Sequence, residues 1–240
     1  METLLLAVIG LPVGLVLDAL VARLAVRANG QAEAEDEDIP APEPGLGPSE
    51  AGSLVLEADP ARHAWLRRLL ITSATILLFA LAGARYGDVS HLPIVTAYLS
   101  VLIVCAGTDI LSFRVPNAVT YPAIAGALAI GLAMADADFL EVLAGGLLAG
   151  GVLLLPSLLT GGIGMGMGDV KLALFVGLAL GFSNVVPAML VMALFGGAVA
   201  VLLLVTGLRK RGEPIPYAPF ISAGGIVALR SQGSAFVQVG

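Results

Sequence analysis

The chain has 240 residues, 58% of them hydrophobic and only 12% charged, with a mean hydropathy of +0.97 and a formal net charge of -6. A soluble domain of this length could not bury so much apolar surface, so the composition excludes a soluble fold and predicts an all-α polytopic membrane protein. There is no basic patch for a nucleic-acid backbone, and the single cysteine, Cys105, rules out an intrachain disulfide or a cysteine-ligated zinc site.

Residues 3–24 form the first apolar run, with Asp18 inside it and Arg23 near its end. Glu2 is the only early charge and no basic n-region precedes the run, which favours a retained first helix over a signal peptide. Asp18 is expected to point into the bundle and accept hydrogen bonds. The character then changes. Between Asn29 and Ala61 lie nine acids (Glu33, Glu35, Asp36, Glu37, Asp38, Glu43, Glu50, Glu57 and Asp59), several Pro and Gly, and no Lys or Arg before Arg62. Such a stretch cannot bury enough apolar surface to offset its ordering entropy, so residues 29–66 are predicted to be an acidic, mostly disordered cytoplasmic loop. The chain thus divides into a first helix at 1–28, the loop at 29–66 and a transmembrane core at 67–240.

Further apolar runs recur at about 69–84, 92–112, 118–135, 140–160, 170–182, 184–207 and 217–229, giving about eight helices. The runs at 170–182 and 217–229 are short and could be partly re-entrant. With an outward amino terminus, ten basic residues fall on the inner side: Arg23, Arg27, Arg62, Arg67, Arg68, Arg114, Lys171, Arg209, Lys210 and Arg211. Only Arg85 and Arg230 fall outside, as the positive-inside rule requires. Asp109, ending the third run, and Asp169, opening the sixth, then share the inner side.

The stretch Gly161-Gly162-Ile163-Gly164-Met165-Gly166-Met167-Gly168-Asp169 lies between two of these runs. Gly164, Gly166 and Gly168 remove side chains at every second residue, so the backbone can take left-handed angles and let another chain approach. An acid beside hydrocarbon is costly, which marks Asp169 as functional. Two carboxylates sharing one site cannot both ionise cheaply. One keeps a proton as general acid toward a carbonyl oxygen, and the other activates water as general base. That is aspartyl peptide hydrolysis, and it needs no metal. His63 and His91, the only histidines, fall on opposite predicted sides, and no Gly-Lys-Ser/Thr phosphate loop is present.

These residues also carry a family resemblance. Thr108-Asp109-Ile110-Leu111-Ser112-Phe113-Arg114-Val115-Pro116-Asn117 resembles the first catalytic motif of type IV prepilin peptidases, an Asp followed seven residues later by Pro-Asn. Gly166-Met167-Gly168-Asp169-Val170-Lys171-Leu172 is similar to the second, Gly-x-Gly-Asp followed by Lys. Pro216-Tyr217-Ala218-Pro219-Phe220 resembles the closing Pro-x-x-Pro-Phe signature, and Gly14, Leu17 and Arg23 fit the spacing of the first helix. The likeness runs over nearly the whole chain. It implies that Asp109 and Asp169 are the catalytic pair of a metal-free peptidase in the inner membrane of a prokaryote. Its partners would be the lipid bilayer and a prepilin or pseudopilin precursor, whose basic leader is removed at the cytoplasmic face.

On that reading Gly164, Gly166 and Gly168 admit an extended substrate, and Pro116 and Asn117 restart the chain after the Asp109 helix. Pro219 and Phe220 shape the site. Lys171 either biases Asp169 toward its ionised form or acts as a snorkelling anchor. The nine-acid loop would attract the basic leader. The chain also departs from the family. It lacks the four cysteines many bacterial members carry in the first loop, has Leu15-Val16 for the family's Ser-Phe, and has Asp18 for its Asn. The expectation is therefore a peptidase without the zinc-bearing N-methyltransferase form, with S-adenosylmethionine as a cofactor only if methylation is retained. Two other classes compete: an ion-coupled transporter or channel with both acids in its pathway, and a non-catalytic subunit of a pilus or secretion machine.

Overall fold

A computed structural model describes residues 2–37, 60–86, 92–134, 138–159, 165–207, 215–234 and 237–238. These form eight helices: α1 Glu2–Glu37, α2 Pro60–Tyr86, α3 Leu92–Ser112, α4 Asn117–Ala133, α5 Phe139–Leu159, α6 Met167–Leu180, α7 Phe182–Val205 and α8 Ala218–Gln232. A two-residue antiparallel pair, Gly233–Ser234 with Val237–Gln238, follows α8. The protein is thus an all-helical, multi-pass membrane protein. α1, α2, α3, α5 and α7 each contain a stretch long and apolar enough to cross a bilayer, and α4 is a shorter apolar helix.

The helices at the acidic segment run further than the apolar pattern predicts. α1 continues to Glu37 and α2 begins at Pro60, so both ends of the expected 29–66 loop are helical. Ala, Gln and Glu in Gln31–Glu37 are good helix formers, and Pro is favoured at a first helical position. Residues 38–59, with five of the nine acids, lie outside the described residues.

α6 is the most enclosed helix. Ten of its fourteen residues are buried, including Leu172, Phe175 and Leu178. At about 21 Å it is shorter than the roughly 30 Å hydrocarbon layer, so it depends on neighbouring protein for its surroundings. α5 packs along one side of it. A β-carbon on Gly145 would lie 2.5–2.7 Å from the backbone of Gly181, Gly177 and Phe182, so only glycine permits this approach. Such close packing of small residues holds helices together where lipid offers no hydrophobic drive. α3 lies against α8, with Ser222 donating its hydroxyl to the Leu102 carbonyl, and the Tyr98 ring meets Phe175 edge-on at 5.4 Å. On the other side, Leu17 and Val21 of α1 join Ile71 of α2 and Ile103 and Val104 of α3 in a second apolar cluster.

Asp18 is buried in that layer and accepts hydrogen bonds from Arg67 Nε at 2.8 Å and Arg68 Nε at 3.4 Å, linking α1 to α2. The expectation that it bonds inside the bundle holds, with two arginines as donors. Outward-facing apolar residues such as Leu4, Val8, Leu159 and Val205 are more than two-thirds exposed, as a lipid-facing surface requires. Gly145→Ala should cost about 1–3 kcal/mol of stability through overpacking. Gly151→Ala, on the same helix with open space around it, should be neutral or slightly stabilising. Thermal unfolding of the two purified variants compares them directly.

Candidate active site

Asp109 comes from the last turn of α3. That helix ends on Phe113, whose N–H donates to the Asp109 carbonyl at 2.8 Å and whose φ is +50°. A left-handed phenylalanine costs roughly 1–2 kcal/mol, and the turn is held by the short crossing that runs from it to Pro116, where α4 starts. Asp169 is the third residue of α6. Gly166 is that helix's N-cap, and the Asp169 carboxylate accepts the Gly166 N–H, as an acid at this position of a capping box does. The segment before Gly166 is tied to α5, because Ser157 donates its hydroxyl to the Met165 carbonyl at 3.0 Å.

The two carboxylates, sixty positions apart in the chain, line one cavity of about 610 Å³ and lie within each other's electrostatic reach. Both are buried, Asp109 at 3% and Asp169 at 8% exposure. Asp109 Oδ2 accepts the Ala218 N–H at 3.0 Å, so the carboxylate sits at the positive end of α8. Asp169 Oδ1 is buried with no hydrogen-bond partner among the described residues. Each carboxylate therefore meets a backbone N–H at a helix N-terminus, and Asp169 Oδ1 has no protein donor among the described residues. That is an arrangement for accepting and releasing a proton.

Five elements form the cavity wall, among them Arg27 of α1, Phe113 and Arg114 after α3, Asn117 of α4 and Lys171 of α6. Gly168 sets how closely α6 approaches the α3–α4 crossing. A β-carbon there would lie 2.9 Å from Val115 Cβ, so a larger residue would push the two acids' supports apart.

Of the residues predicted for the site, Asp109, Asp169, Gly166, Gly168, Lys171, Pro116 and Asn117 all line the cavity. Gly164 lies outside the described residues. Gly166 has φ −73° and Gly168 is helical, so the expected left-handed angles are not used at these two positions. Lys171 does not turn to Asp169. Its Nζ donates to Asn117 Oδ1 at 2.9 Å and lies 4.7 Å from the centre of the Tyr121 ring, fastening α6 to α4. Pro219 and Phe220 are not in the cavity wall. They belong to the first turn of α8, where Phe220 faces Gly196 of α7 and meets Tyr217 edge-on. Their effect on the site passes through the position of Ala218. Sequence reasoning missed Ala218, Ser157, Phe113 and Arg27; the first acts through its backbone and so carries no side-chain signature.

If Gly168 governs the approach, Gly168→Ala should destabilise the protein by about 1–2 kcal/mol. In a Val115→Gly background the same substitution should cost less than in the wild type, because that change removes the β-carbon the new methyl group meets. Gly166→Ala, whose β-carbon would meet only Asp169 Oδ2 at an ordinary 3.6 Å, should cost less. Unfolding midpoints of the wild type and these variants test this.

The sequence model of the type IV leader peptidase family matches residues 96–201, a span containing both acids. The prepilin leader peptidase/N-methyltransferase of Bacillus subtilis (strain 168) is 34% identical over 165 residues, covering 64% of this chain and 62% of that protein. The protein of that name from Burkholderia pseudomallei (strain 1026b) is 30% identical over 164 residues, covering 67% and 53%. Its counterpart from Aeromonas hydrophila is 29% identical over 134 residues, covering 54% and 46%. The matches thus span less than two thirds of the length of these relatives. No solved structure matches the chain. The region that holds Asp109 and Asp169 matches the type IV leader peptidase family.

Proposed function

We propose that this protein is an intramembrane aspartyl endopeptidase that removes the basic leader from type IV prepilin or pseudopilin precursors at the cytoplasmic face of the inner membrane. The observation that carries the reading is the convergence of Asp109 and Asp169, each buried at a helix N-terminus, on one cavity at one end of the bundle. Both acids at the same end fit cleavage near a membrane face better than an ion path across the midplane.

In the proposed reaction the pair holds one proton between its carboxyl groups. The ionised member takes a proton from water as the oxygen attacks the scissile carbonyl carbon. The protonated member gives its proton to the carbonyl oxygen, so no free oxyanion develops. On collapse of the tetrahedral species a hydroxyl returns its proton to the ionised carboxylate as the C–N bond breaks, and the departing amine takes the proton of the other, so the pair again holds one proton. The exposed edge formed by Gly166 and Met167 offers the precursor backbone a place beside the acids. Lys171 and Asn117 keep α6 and α4 in register beneath it.

The reading takes no metal or cofactor. The relatives' names also carry N-methyltransferase. That activity, and S-adenosylmethionine with it, stays outside the proposal, because the chain's one cysteine, Cys105, is buried within α3 and no four-cysteine loop is present.

Asp109→Asn and Asp169→Asn should each slow cleavage of a prepilin-type precursor in proteoliposomes by at least about 100-fold. Asn keeps the shape and most of the hydrogen bonding, so both variants should remain inserted and folded. Wild-type cleavage rates in either folded variant would overturn the assignment.

A further inference from the structure

At the end of the bundle opposite the acids, α2, α3 and α8 enclose a second, much smaller cavity of about 40 Å³. Its walls are apolar, built by Leu81, Val95, Leu99 and Leu229, and it opens to the outside of the bundle. Arg85 and Arg230, both exposed, also line it, turning almost only apolar atoms into it. They are the two basic residues that the charge pattern of the sequence assigns to this side, and the fold brings both to one slot although 145 positions separate them.

Among the described residues, their contacts leave most of their donors unused. Arg230 Nη1 reaches the Leu81 carbonyl only at 3.4 Å, a long contact. The Tyr86 hydroxyl in the same wall is already committed to the Leu229 carbonyl. Among the described residues the salt bridges both involve Asp18, far from this end, so neither Arg85 nor Arg230 faces a carboxylate there. Asp88 and His91, the nearest titratable residues in sequence, lie outside the described residues.

We infer that this slot binds an anionic phospholipid, with its phosphate held between Arg85 and Arg230 and a segment of one acyl chain seated against Leu81, Val95 and Leu99. The chemistry is complementary at both ends. Guanidinium groups pair with phosphate oxygens through two parallel hydrogen bonds, and a dry apolar slot accepts methylene groups and excludes water. Basic pockets between membrane helices are suited to such headgroups. The bound lipid bridges α2 and α8 at the end where the bundle has no other ionic link among the described residues. It therefore stabilises the folded protein.

The test uses the full chain, purified and stripped of lipid in a mild detergent, then titrated with phosphatidylglycerol, phosphatidylcholine or inorganic phosphate. Native mass spectrometry reads bound lipid and thermal unfolding reads stability. Phosphatidylglycerol should bind and raise the unfolding midpoint; phosphatidylcholine and phosphate alone should do neither. The R85Q/R230Q variant should bind phosphatidylglycerol about tenfold or more weakly. R23Q, which removes an exposed cation within α1, a helix that does not line the slot, should bind it as the wild type does. Equal binding of phosphatidylcholine, a stability gain from phosphate alone, undiminished binding by R85Q/R230Q, or an equal loss in R23Q would each overturn the proposal. The lipid comparison is made on the wild type, so the result stands even if the double variant fails to fold.

Discussion

Placing two carboxylates together inside a hydrocarbon-embedded bundle is the constraint on which the rest of this structure depends. Burial removes much of the solvent around each, so donors from the backbone matter, and helix N-termini are where unpaired N–H groups exist. Asp169 takes its donor from the start of its own helix, at Gly166. Asp109 lies at the wrong end of α3 for that, and receives the Ala218 N–H from the start of α8. Much of the surrounding architecture can be understood from these two needs. α3 must end where α6 and α8 begin, and the short crossing from Phe113 to Pro116 must fold against Gly168.

The shortness of α6 belongs to the same arrangement. A helix of fourteen residues crosses only part of the hydrocarbon layer. Starting late on the acid-bearing side leaves room for the 610 Å³ cavity, and packing against α5 through Gly145 and Gly177 holds the helix despite its length. Lys171 adds a lateral fixture to Asn117 and Tyr121. α6 is enclosed beside the acids, while α7 stays at the periphery with much of its apolar surface turned outward.

The apolar runs made the helices legible, because hydrocarbon demands long uncharged segments whatever the tertiary fold. The bounds of α3 were legible for that reason, and Asp109 and Asp169 stood out as acids in places where acids are expensive. The sequence was less informative where polar helix formers extend a helix past its apolar run, as in α1 to Glu37. It was silent where the interaction belongs to the backbone, as at Ala218, or where a bulky residue takes an angle normally associated with glycine, as at Phe113. Lys171 shows a third kind of gap. Its position two residues after Asp169 suggested an ionic role toward that acid, but the helix carries its side chain toward α4.

If Asp109 and Asp169 act as one unit on one proton, a double-substitution cycle will show it. Cleavage rates would be measured for Asp109→Asn, Asp169→Asn and the combined variant in the same membranes. Groups that act together give non-additive losses, so the double variant should cleave no more slowly than the slower single one. Losses that multiply would show two carboxylates working independently, and would contradict a shared catalytic pair.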